Sequence, residues 1–374
     1  MDTYIIMDNC INVWVKQQDV WDKIDSEKPQ IAMLNKCSKW VHDAISNIYP
    51  SVNMNDISLI KDRIRKIRSN RKQLRHLKTL PFVEQRSAEW HAIRKNLITA
   101  SDFGDALGIE KFGKKGDVKK FYQKKCGYDP PPVFDTANVF LKWGVMFEEV
   151  ACNIYKSRTG SEVHEFGILV NPKIKCLGAS PDGINDMGVM LEIKCPYKRK
   201  ITDDSILKQY YYQIQGQLDA CDLTECDFVE VKLDTYHNEA SFFDDYEDQY
   251  NTFTELYMEK GIVIELSDTQ YMYSPHNIKK SQLSEWIDLN RHMGTKIIFW
   301  YLDLYSQKRV NRNDIDIDNM NIQLKDVWDN VLKYRADESL YNKECKSATK
   351  KPREKKVYEH PKVGSIFIHD PLEV

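Results

Sequence analysis

The chain of 374 residues has no continuous run of the roughly eighteen apolar residues that a membrane-spanning helix needs. Its first ten residues, MDTYIIMDNC, lack the basic segment that opens a secretory signal. Its nine cysteines include no CxxC pair and no Cys/His spacing suited to zinc, and an odd number cannot all pair within one chain. We therefore expect an intracellular protein with reduced thiols and no contact with a membrane.

The net charge of −2 is also small, but the charged residues are segregated along the chain. Residues 61–78 hold nine Lys or Arg against one Asp, with Ile and Leu at heptad-like intervals. This pattern predicts a helix with a narrow apolar seam and a basic surface suited to a nucleic-acid backbone. The alternative is an ordinary solvated helix. The candidate contact residues are Arg65, Lys66, Arg68 and Lys72.

Residues 180–194 read SPDGINDMGVMLEIK and contain the most informative charged residues. In a strand over 189–195, alternation places Glu192 and Lys194 on one face and the intervening apolar residues in a core. Asp182 precedes a segment rich in Gly, Asn and Asp (183–188), so a hairpin brings it beside Glu192. The sequence therefore predicts that two carboxylates and one lysine converge.

This trio suits metal-dependent phosphodiester cleavage. Two carboxylates, Asp182 and Glu192, with the backbone carbonyl of Ile193, offer the oxygen ligands that Mg²⁺ or Mn²⁺ prefers. The metal can acidify a water and neutralise charge on the phosphate. Lys194 can orient the attacking water or stabilise the transition state. The alternative is a surface hairpin with a solvated Glu/Lys pair.

Four sequence blocks together resemble a known family. SPDG at 180–183 with LEIKCP at 191–196 resembles the PD-(D/E)xK nuclease superfamily, and within it the YqaJ or lambda-exonuclease family of viral and phage recombination nucleases. Three further blocks match in order, covering with the first roughly residues 82–235. They are QRxxxWxxxR (85–94) with ITASD (98–102), WGxxFE (143–148) and YYYQIQ (210–215).

The first of these blocks predicts a phosphate-binding pocket. Ser87 is a suitable N-cap for a helix that ends near Arg94, and Thr99 or Ser101 caps a second short helix, whose N-terminus can bind phosphate. The resemblance implies that Arg94 and Ser101 grip the 5′-phosphate of the degraded strand, and that Ser180 contacts the DNA backbone or a water at the metal. The alternatives are simple capping by Ser101 and a surface salt bridge of Arg94.

The other two blocks place polar residues on amphipathic helices. The resemblance selects Glu148, rather than its neighbour Glu149, as an extra metal ligand or a support for one. Tyr210 and Gln213 share a helix face, so both can reach the water or the scissile phosphate. The alternatives are a solvated glutamate and tyrosines that pack the helix onto a sheet.

The apolar pattern divides the chain into four parts. We expect a helical N-terminal extension (1–80), a nuclease core (82–270), a helical C-terminal region (271–340) around an extended run at 297–304, and a basic, flexible tail (341–374). Strands are predicted near 163–170, 174–179, 189–195 and 228–235, with the Tyr/Gln helix between the last two. The fold class implied by the resemblance is α/β, a PD-(D/E)xK core with a central mixed sheet flanked by helices.

The resemblance implies a Mg²⁺-dependent deoxyribonuclease that degrades one strand of duplex DNA from a 5′ end and leaves a 3′ overhang for recombination. The expected partners are double-stranded DNA ends and a single-strand annealing protein, in the cytoplasm or nucleus of an infected host cell. Either a monomer or a ring-shaped trimer is compatible with the sequence. The alternatives are an endonuclease or ribonuclease on the same scaffold, and a non-catalytic nucleic-acid-binding module.

Overall fold

A computed structural model of the chain describes residues 3–26, 31–49, 57–110, 114–128, 138–202, 205–245, 254 and 258–345. Within these residues, no helix combines the length and apolar character needed to cross a bilayer. All nine cysteines lie in the described part of the chain, and none forms a disulfide. The tail beyond residue 345 lies outside the described residues.

Four helices precede the sequence motifs, as the apolar periodicity of the first 80 residues predicted. They are α1 (Thr3–Gln18), α2 (Trp21–Asp25), α3 (Ile31–Ile48) and α4 (Ile57–Leu77). The predicted apolar seam of α4 is buried at all five positions, which are Ile60, Ile64, Ile67, Leu74 and Leu77. The first three of these side chains pack with the apolar faces of α1 and α3 in one cluster. These helices thus form a layer with a core of its own.

The next part of the chain is mostly helical and carries two of the predicted motifs. It comprises α5 (Ala88–Lys95), β1 (Ile98–Thr99), a short 3₁₀ helix (Ala100–Asp102), α6 (Phe103–Ala106), α7 (Val118–Cys126) and α8 (Val139–Thr159). The predicted N-cap is present, since the side chain of Ser87 accepts a hydrogen bond of 3.2 Å from the N–H of Trp90. Asn138 caps α8 in the same way.

Six strands and one helix then form the centre of the protein. They are β2 (Val163–His164), β3 (Leu169–Val170), β4 (Leu177–Ala179), β5 (Gly183–Asn185), β6 (Met190–Lys194), α9 (Lys208–Cys221) and β7 (Glu225–Thr235). The region predicted as one strand over 163–170 is two short strands that belong to different sheets. The segment predicted as a turn, 183–188, begins with β5, and only its second half turns the chain.

The remaining elements extend the sheet beyond the predicted core. They are α10 (Glu239–Asp244), β8 (Lys260–Ser267), β9 (Gln270–Tyr273), α11 (Lys280–Asn290), β10 (Lys296–Asn311), α12 (Asp314–Ala336) and α13 (Glu338–Glu344). The extended run expected at 297–304 lies in β10, a strand of 16 residues that pairs with both β7 and β8. The sheet therefore crosses the boundary predicted at residue 270, because long-range pairing includes a strand from the region expected to be helical.

Two sheets and two flanking helices position the motifs. The larger sheet has seven strands in the order β2-β5-β6-β7-β10-β8-β9, and a small sheet has the order β1-β4-β3. Most neighbours are antiparallel, but β6 and β7 run parallel with α9 as their connection. Apolar residues of α8 pack on one face of β6 and β7, and those of α9 on the other. The predicted fold class, a central mixed sheet flanked by helices, is confirmed.

Candidate active site

The hairpin of β5 and β6 carries the three residues on which the predicted chemistry depends. Asp182 directly precedes β5, and its Oδ2 accepts a hydrogen bond of 2.6 Å from the backbone N–H of Ile193. Glu192 and Lys194 flank Ile193 on β6, and successive side chains of a strand alternate between faces. Ile193 packs into the core under α8, so the two charged side chains point together towards α9.

The tip of this hairpin is held by the N-terminal helices. Asn185 Oδ1 accepts hydrogen bonds of 3.0 Å from the N–H groups of Met187 and Val189. Gly188 has a φ of +75°, and a Cβ at this position would lie 2.5 Å from the backbone of Asn70 in α4. Met187 and Val189 are buried in the apolar cluster of α1, α3 and α4. The hairpin is therefore anchored at the end opposite to its charged residues.

Glu192 is almost completely buried, with 1% of its surface exposed. Its Oε1 accepts hydrogen bonds from Lys194 Nζ and, at 2.6 Å, from Gln213 Nε2. Its Oε2 accepts a hydrogen bond of 2.7 Å from Gln217 Nε2. A buried carboxylate is costly without such partners, so these three donors stabilise its charged form.

The surroundings of the hairpin shift the pKa values of Asp182 and Lys194. Burial raises the pKa of Asp182 well above its ordinary value, and the negative charges of Glu192 and Glu148 raise it further. Burial alone would lower the pKa of Lys194, but Glu192 and Asp182 outweigh it, so this pKa is raised. Lys194 is consequently a cation at neutral pH. The negative charges of Glu192 and Glu148 act on Asp182, and the positive charge of Lys194 offsets them only in part.

Glu148 on α8 and Tyr210 on α9 face the hairpin from opposite sides of one cavity. The cavity has a volume of about 640 Å³ and is also lined by Asp182, Ile193 and Lys194. Glu148 Oε2 lies 2.9 Å from Arg86 Nη2, so its charge is compensated at the cavity's edge. The structure therefore brings the predicted Glu148 to the same space as Asp182.

Tyr210 takes part in packing as well as in lining the cavity. Its ring centroid lies 5.6 Å from that of Phe228 on β7. Lys194 Nζ lies 5.4 Å from the Tyr210 ring centroid, and Arg199 Cζ lies 5.7 Å from it. The face of an aromatic ring attracts cations at this distance, so Tyr210 helps to orient Lys194. Gln213, expected to touch the water or the phosphate, donates its hydrogen bond to Glu192.

The donor set suits a hard divalent cation. The carboxylates of Asp182 and Glu192 and the carbonyl of Ile193 are oxygen donors, as Mg²⁺ and Mn²⁺ prefer. A cation would also balance the charge that raises the pKa of Asp182. Among the described residues, no group of three or more His, Cys, Asp or Glu could hold a metal ion by itself. Oxygen donors of this kind suit an ion such as Mg²⁺, which keeps several waters.

Arg94 and Ser101 lie together, as the phosphate-pocket hypothesis requires. Arg94 Nη2 donates a hydrogen bond of 2.9 Å to Ser101 Oγ. The guanidinium carbon of Arg94 lies 4.2 Å from the centroid of the Trp90 ring, and Trp90 Nε1 donates a hydrogen bond of 3.0 Å to Ser180 Oγ. Trp90 thus connects the two predicted binding elements, Arg94 with Ser101 on one side and Ser180 on the other.

Thr99 was predicted to belong to the same pocket as Arg94 and Ser101, but its hydroxyl is buried and bonded to another residue of the protein. Thr99 is the N-cap of the 3₁₀ helix, with 1% of its surface exposed, and its Oγ1 donates a hydrogen bond of 2.8 Å to Asp102 Oδ2. Lys124 and Lys125 of α7 form ion pairs of 2.6 and 2.9 Å with Asp102. Burial alone would raise the pKa of Asp102, but Lys125 and Lys124 hold it below its ordinary value.

The basic helix predicted over 61–78 corresponds to α4, which ends one residue earlier, and its cations differ in their surroundings. Lys66 Nζ forms an ion pair of 2.6 Å with Glu225 on β7, and Arg68 Nη2 donates to the backbone carbonyl of Ser26. Arg65 pairs with Asp62 one turn earlier in the same helix. Lys66 and Arg68 therefore attach α4 to the rest of the protein.

Three contacts near the hairpin were not expected from the sequence. Gln217 lies four residues after Gln213 on α9, the helical spacing for one face, and this is the signal that could have identified it. Arg86 belongs to the QRxxxWxxxR block, but its ion pair with Glu148 on α8 depends on tertiary packing. Gln85 of the same block donates to the carbonyl of Pro181, next to Asp182.

Comparisons with known proteins agree with the sequence blocks. Residues 89–226 match the family described as YqaJ-like viral recombinase domain. An uncharacterized protein of Acanthamoeba polyphaga mimivirus is 28% identical over 319 residues, which are 73% of this chain and 57% of that protein. The chain thus matches little more than half the length of this relative.

Two solved structures are similar at low identity. An alkaline exonuclease from Laribacter hongkongensis has 19% identity and a TM-score of 0.43, covering 69% of this chain and 97% of the other. A phage-related exonuclease from Haemophilus somnus has 13% identity and a TM-score of 0.40, covering 65% and 96%. The matched family segment runs from the block at Trp90 to beyond the Tyr/Gln helix. The predicted resemblance is confirmed, because residues 89–226 match the family described as YqaJ-like viral recombinase domain.

Proposed function

We propose that the protein is a Mg²⁺- or Mn²⁺-dependent exodeoxyribonuclease that degrades one strand of duplex DNA from its 5′ end and leaves a 3′ overhang. The observation that carries this proposal is the hairpin of β5 and β6. Asp182 and Lys194 line one cavity, and the buried Glu192 accepts a hydrogen bond from Lys194. The viral recombinase domain supports a role in recombination or replication.

The metal would be held by the carboxylates of Asp182 and Glu192 and by the carbonyl of Ile193, with Glu148 as a further ligand or a support. When bound, it supplies a water of lowered pKa and positive charge against the phosphate. Gln213 and Gln217 hold Glu192 in one orientation, so the carboxylate does not have to be ordered when the metal arrives.

Lys194 provides the positive charge that acts on the reacting phosphate. Its raised pKa keeps it protonated at neutral pH, so it donates hydrogen bonds and does not remove protons. It orients the attacking water or stabilises the charge that develops in the transition state. Tyr210 lies beside Lys194 and positions it, and it lines the cavity in which the scissile phosphate would bind.

Arg94 and Ser101 would bind the terminal 5′-phosphate, with Ser180 contacting the DNA backbone nearby. The guanidinium of Arg94 already donates to Ser101 Oγ, so both groups can point at one phosphate. Thr99 supports this pocket by capping the 3₁₀ helix that carries Ser101. The partners of the enzyme would be double-stranded DNA ends and a single-strand annealing protein, in the cytoplasm or nucleus of an infected cell.

The experiment is digestion of linear duplex DNA with 5′-phosphate or 5′-hydroxyl ends, with Mg²⁺ or with EDTA, scoring product length and strand polarity. Closed circular DNA and an RNA of the same sequence are included as substrates. We expect Mg²⁺-dependent loss of the 5′-phosphorylated strand, absent in Asp182→Ala and Glu192→Ala. Cutting of circular DNA would favour an endonuclease, and cutting of RNA alone a ribonuclease. Binding without cleavage of any substrate would favour a non-catalytic module.

A further inference from the structure

Several cations of α4, including the candidate Lys66, are engaged inside the protein. Arg63 is buried between Asp8 and Glu225, and Lys66 also pairs with Glu225. Arg71 and Arg75 both form ion pairs with Asp25. If a cation paired with a buried carboxylate bound a phosphate, the carboxylate would lose its counter-charge, which is costly in the protein interior. These basic residues of α4 thus serve to pair with acidic residues of neighbouring elements.

A second basic helix, α7, has the opposite arrangement. Its buried side is formed by Phe121, Tyr122 and Lys125, while Lys119, Lys120 and Lys124 are exposed on the other side. We call Lys119 and Lys120 the α7 basic face, because Lys124 forms an ion pair with Asp102. Within the described part of the chain, the side chains of Lys119 and Lys120 have no carboxylate within ion-pair distance. Asp117, the N-cap of α7, is the acidic residue at the end of this helix.

The α7 basic face is joined to the pocket of Arg94 and Ser101 by short contacts. Lys124 pairs with Asp102, and Asp102 accepts a hydrogen bond from Thr99 at the start of the 3₁₀ helix that carries Ser101. On the buried side, Lys125 Nζ donates a hydrogen bond of 2.8 Å to the carbonyl of Arg94. α7 is therefore fixed next to Arg94, with its two unengaged lysines turned outwards.

We propose that the α7 basic face binds the phosphate backbone of duplex DNA whose 5′ end lies in the pocket of Arg94 and Ser101. Exposed lysines without protein partners exchange their counter-ions for phosphates on binding, which makes affinity depend on salt. This inference rests on the proposed function for the position of the DNA end. It assigns the main electrostatic contact to α7 and not to α4.

The test compares two double variants that each remove two exposed cations from a helix. Lys119→Ser with Lys120→Ser changes α7, and Arg65→Ser with Lys72→Ser changes α4, where both residues are exposed. Binding of a fluorescent 5′-phosphorylated duplex is measured by anisotropy in EDTA, between about 50 and 200 mM salt. Metal-free binding keeps the measurement independent of cleavage.

For the α7 variant we expect weaker binding. The slope of log affinity against log salt concentration should be less steep by about 1.8, because each lost phosphate contact reduces the magnitude of this slope by about 0.9. The α4 variant should keep the wild-type slope. Lys119→Arg with Lys120→Arg should also keep it, since the charges remain. An unchanged slope in the α7 serine variant, or a flatter slope in the α4 variant alone, would overturn the inference. If wild type binds with this pattern but never cleaves, only the proposed function fails.

Discussion

Gln217 Nε2 donates a hydrogen bond of 2.7 Å to Oε2 of Glu192, and both side chains are buried. The Oε1 atom of Gln217 has no hydrogen-bond partner within the described structure. The amide therefore serves a single contact, which orients the carboxylate that we propose as a metal ligand. A helix on one face of the sheet thus orients a charged group on β6.

Gln217→Leu should destabilise the folded protein by about 1 to 3 kcal/mol, because Glu192 Oε2 loses its donor while remaining buried. Urea unfolding in EDTA measures this change. Gln213→Leu is the matched control, since Glu192 Oε1 keeps Lys194 as a donor, and its effect should be smaller. Equal stability of Gln217→Leu and wild type would show that the contact does not hold Glu192.

Asp182→Asn should stabilise the metal-free protein at neutral pH. The folded-state pKa of Asp182 is raised by burial and by its acidic neighbours. Stability from this group is therefore complete below its unfolded pKa and is lost as the pH rises through the folded pKa. The difference in Tm between variant and wild type should be absent in acid and grow with pH.

Scanning calorimetry over a pH series in EDTA checks this, with Glu285→Gln at an exposed helix position as the control. Adding Mg²⁺ should raise the Tm of wild type and reduce the difference, because a ligand that binds the folded state stabilises it. A variant that is less stable than wild type at every pH would contradict the expected charge repulsion.

Lys194→Ala should lower kcat by roughly 10² or more, the usual loss for one preorganised electrostatic group. Mg²⁺ binding, followed by calorimetry, should be nearly unchanged, because a protonated amine is not a metal ligand. Lys194→Arg keeps the charge and should retain more activity. Collapse of Mg²⁺ binding in Lys194→Ala would instead assign Lys194 to holding Glu192 in place.

Arg94→Ala should remove most of the preference for 5′-phosphorylated over 5′-hydroxyl ends while cleavage continues. A charge-assisted contact to phosphate contributes about 1.5 to 3 kcal/mol, which is roughly a ten- to hundredfold preference. The ratio of initial rates on the two ends is the measurement, and Lys95→Ala, an exposed neighbouring cation, is the control. Equal rates of wild type on both ends would exclude the terminal-phosphate pocket.

Local sequence patterns were sufficient to predict several features of the site. The alternation around Ile193 predicted that Glu192 and Lys194 share a face, and the Gly- and Asn-rich segment predicted the hairpin that brings Asp182 to them. Ser87 was identified as a helix cap because it directly precedes a segment with apolar residues at helical spacing. These features depend on side-chain directions within one element, which are set by a periodicity that the sequence contains.

Tertiary structure alone decided which cations form ion pairs and which strands pair with each other. Lys66 is 159 residues from Glu225 in sequence, so the ion pair that occupies it has no local pattern. The same is true of β10, whose place between β7 and β8 depends on pairing with strands on either side of it in the sheet. The sequence by itself determined that Glu192 and Lys194 share a face, that Ser87 caps a helix, and that residues 89–226 resemble the YqaJ-like viral recombinase domain. Which residues such a face contacts depends on segments that are distant in sequence. Buried charges find their counter-charges, and strand edges their hydrogen bonds, only when the whole chain has packed.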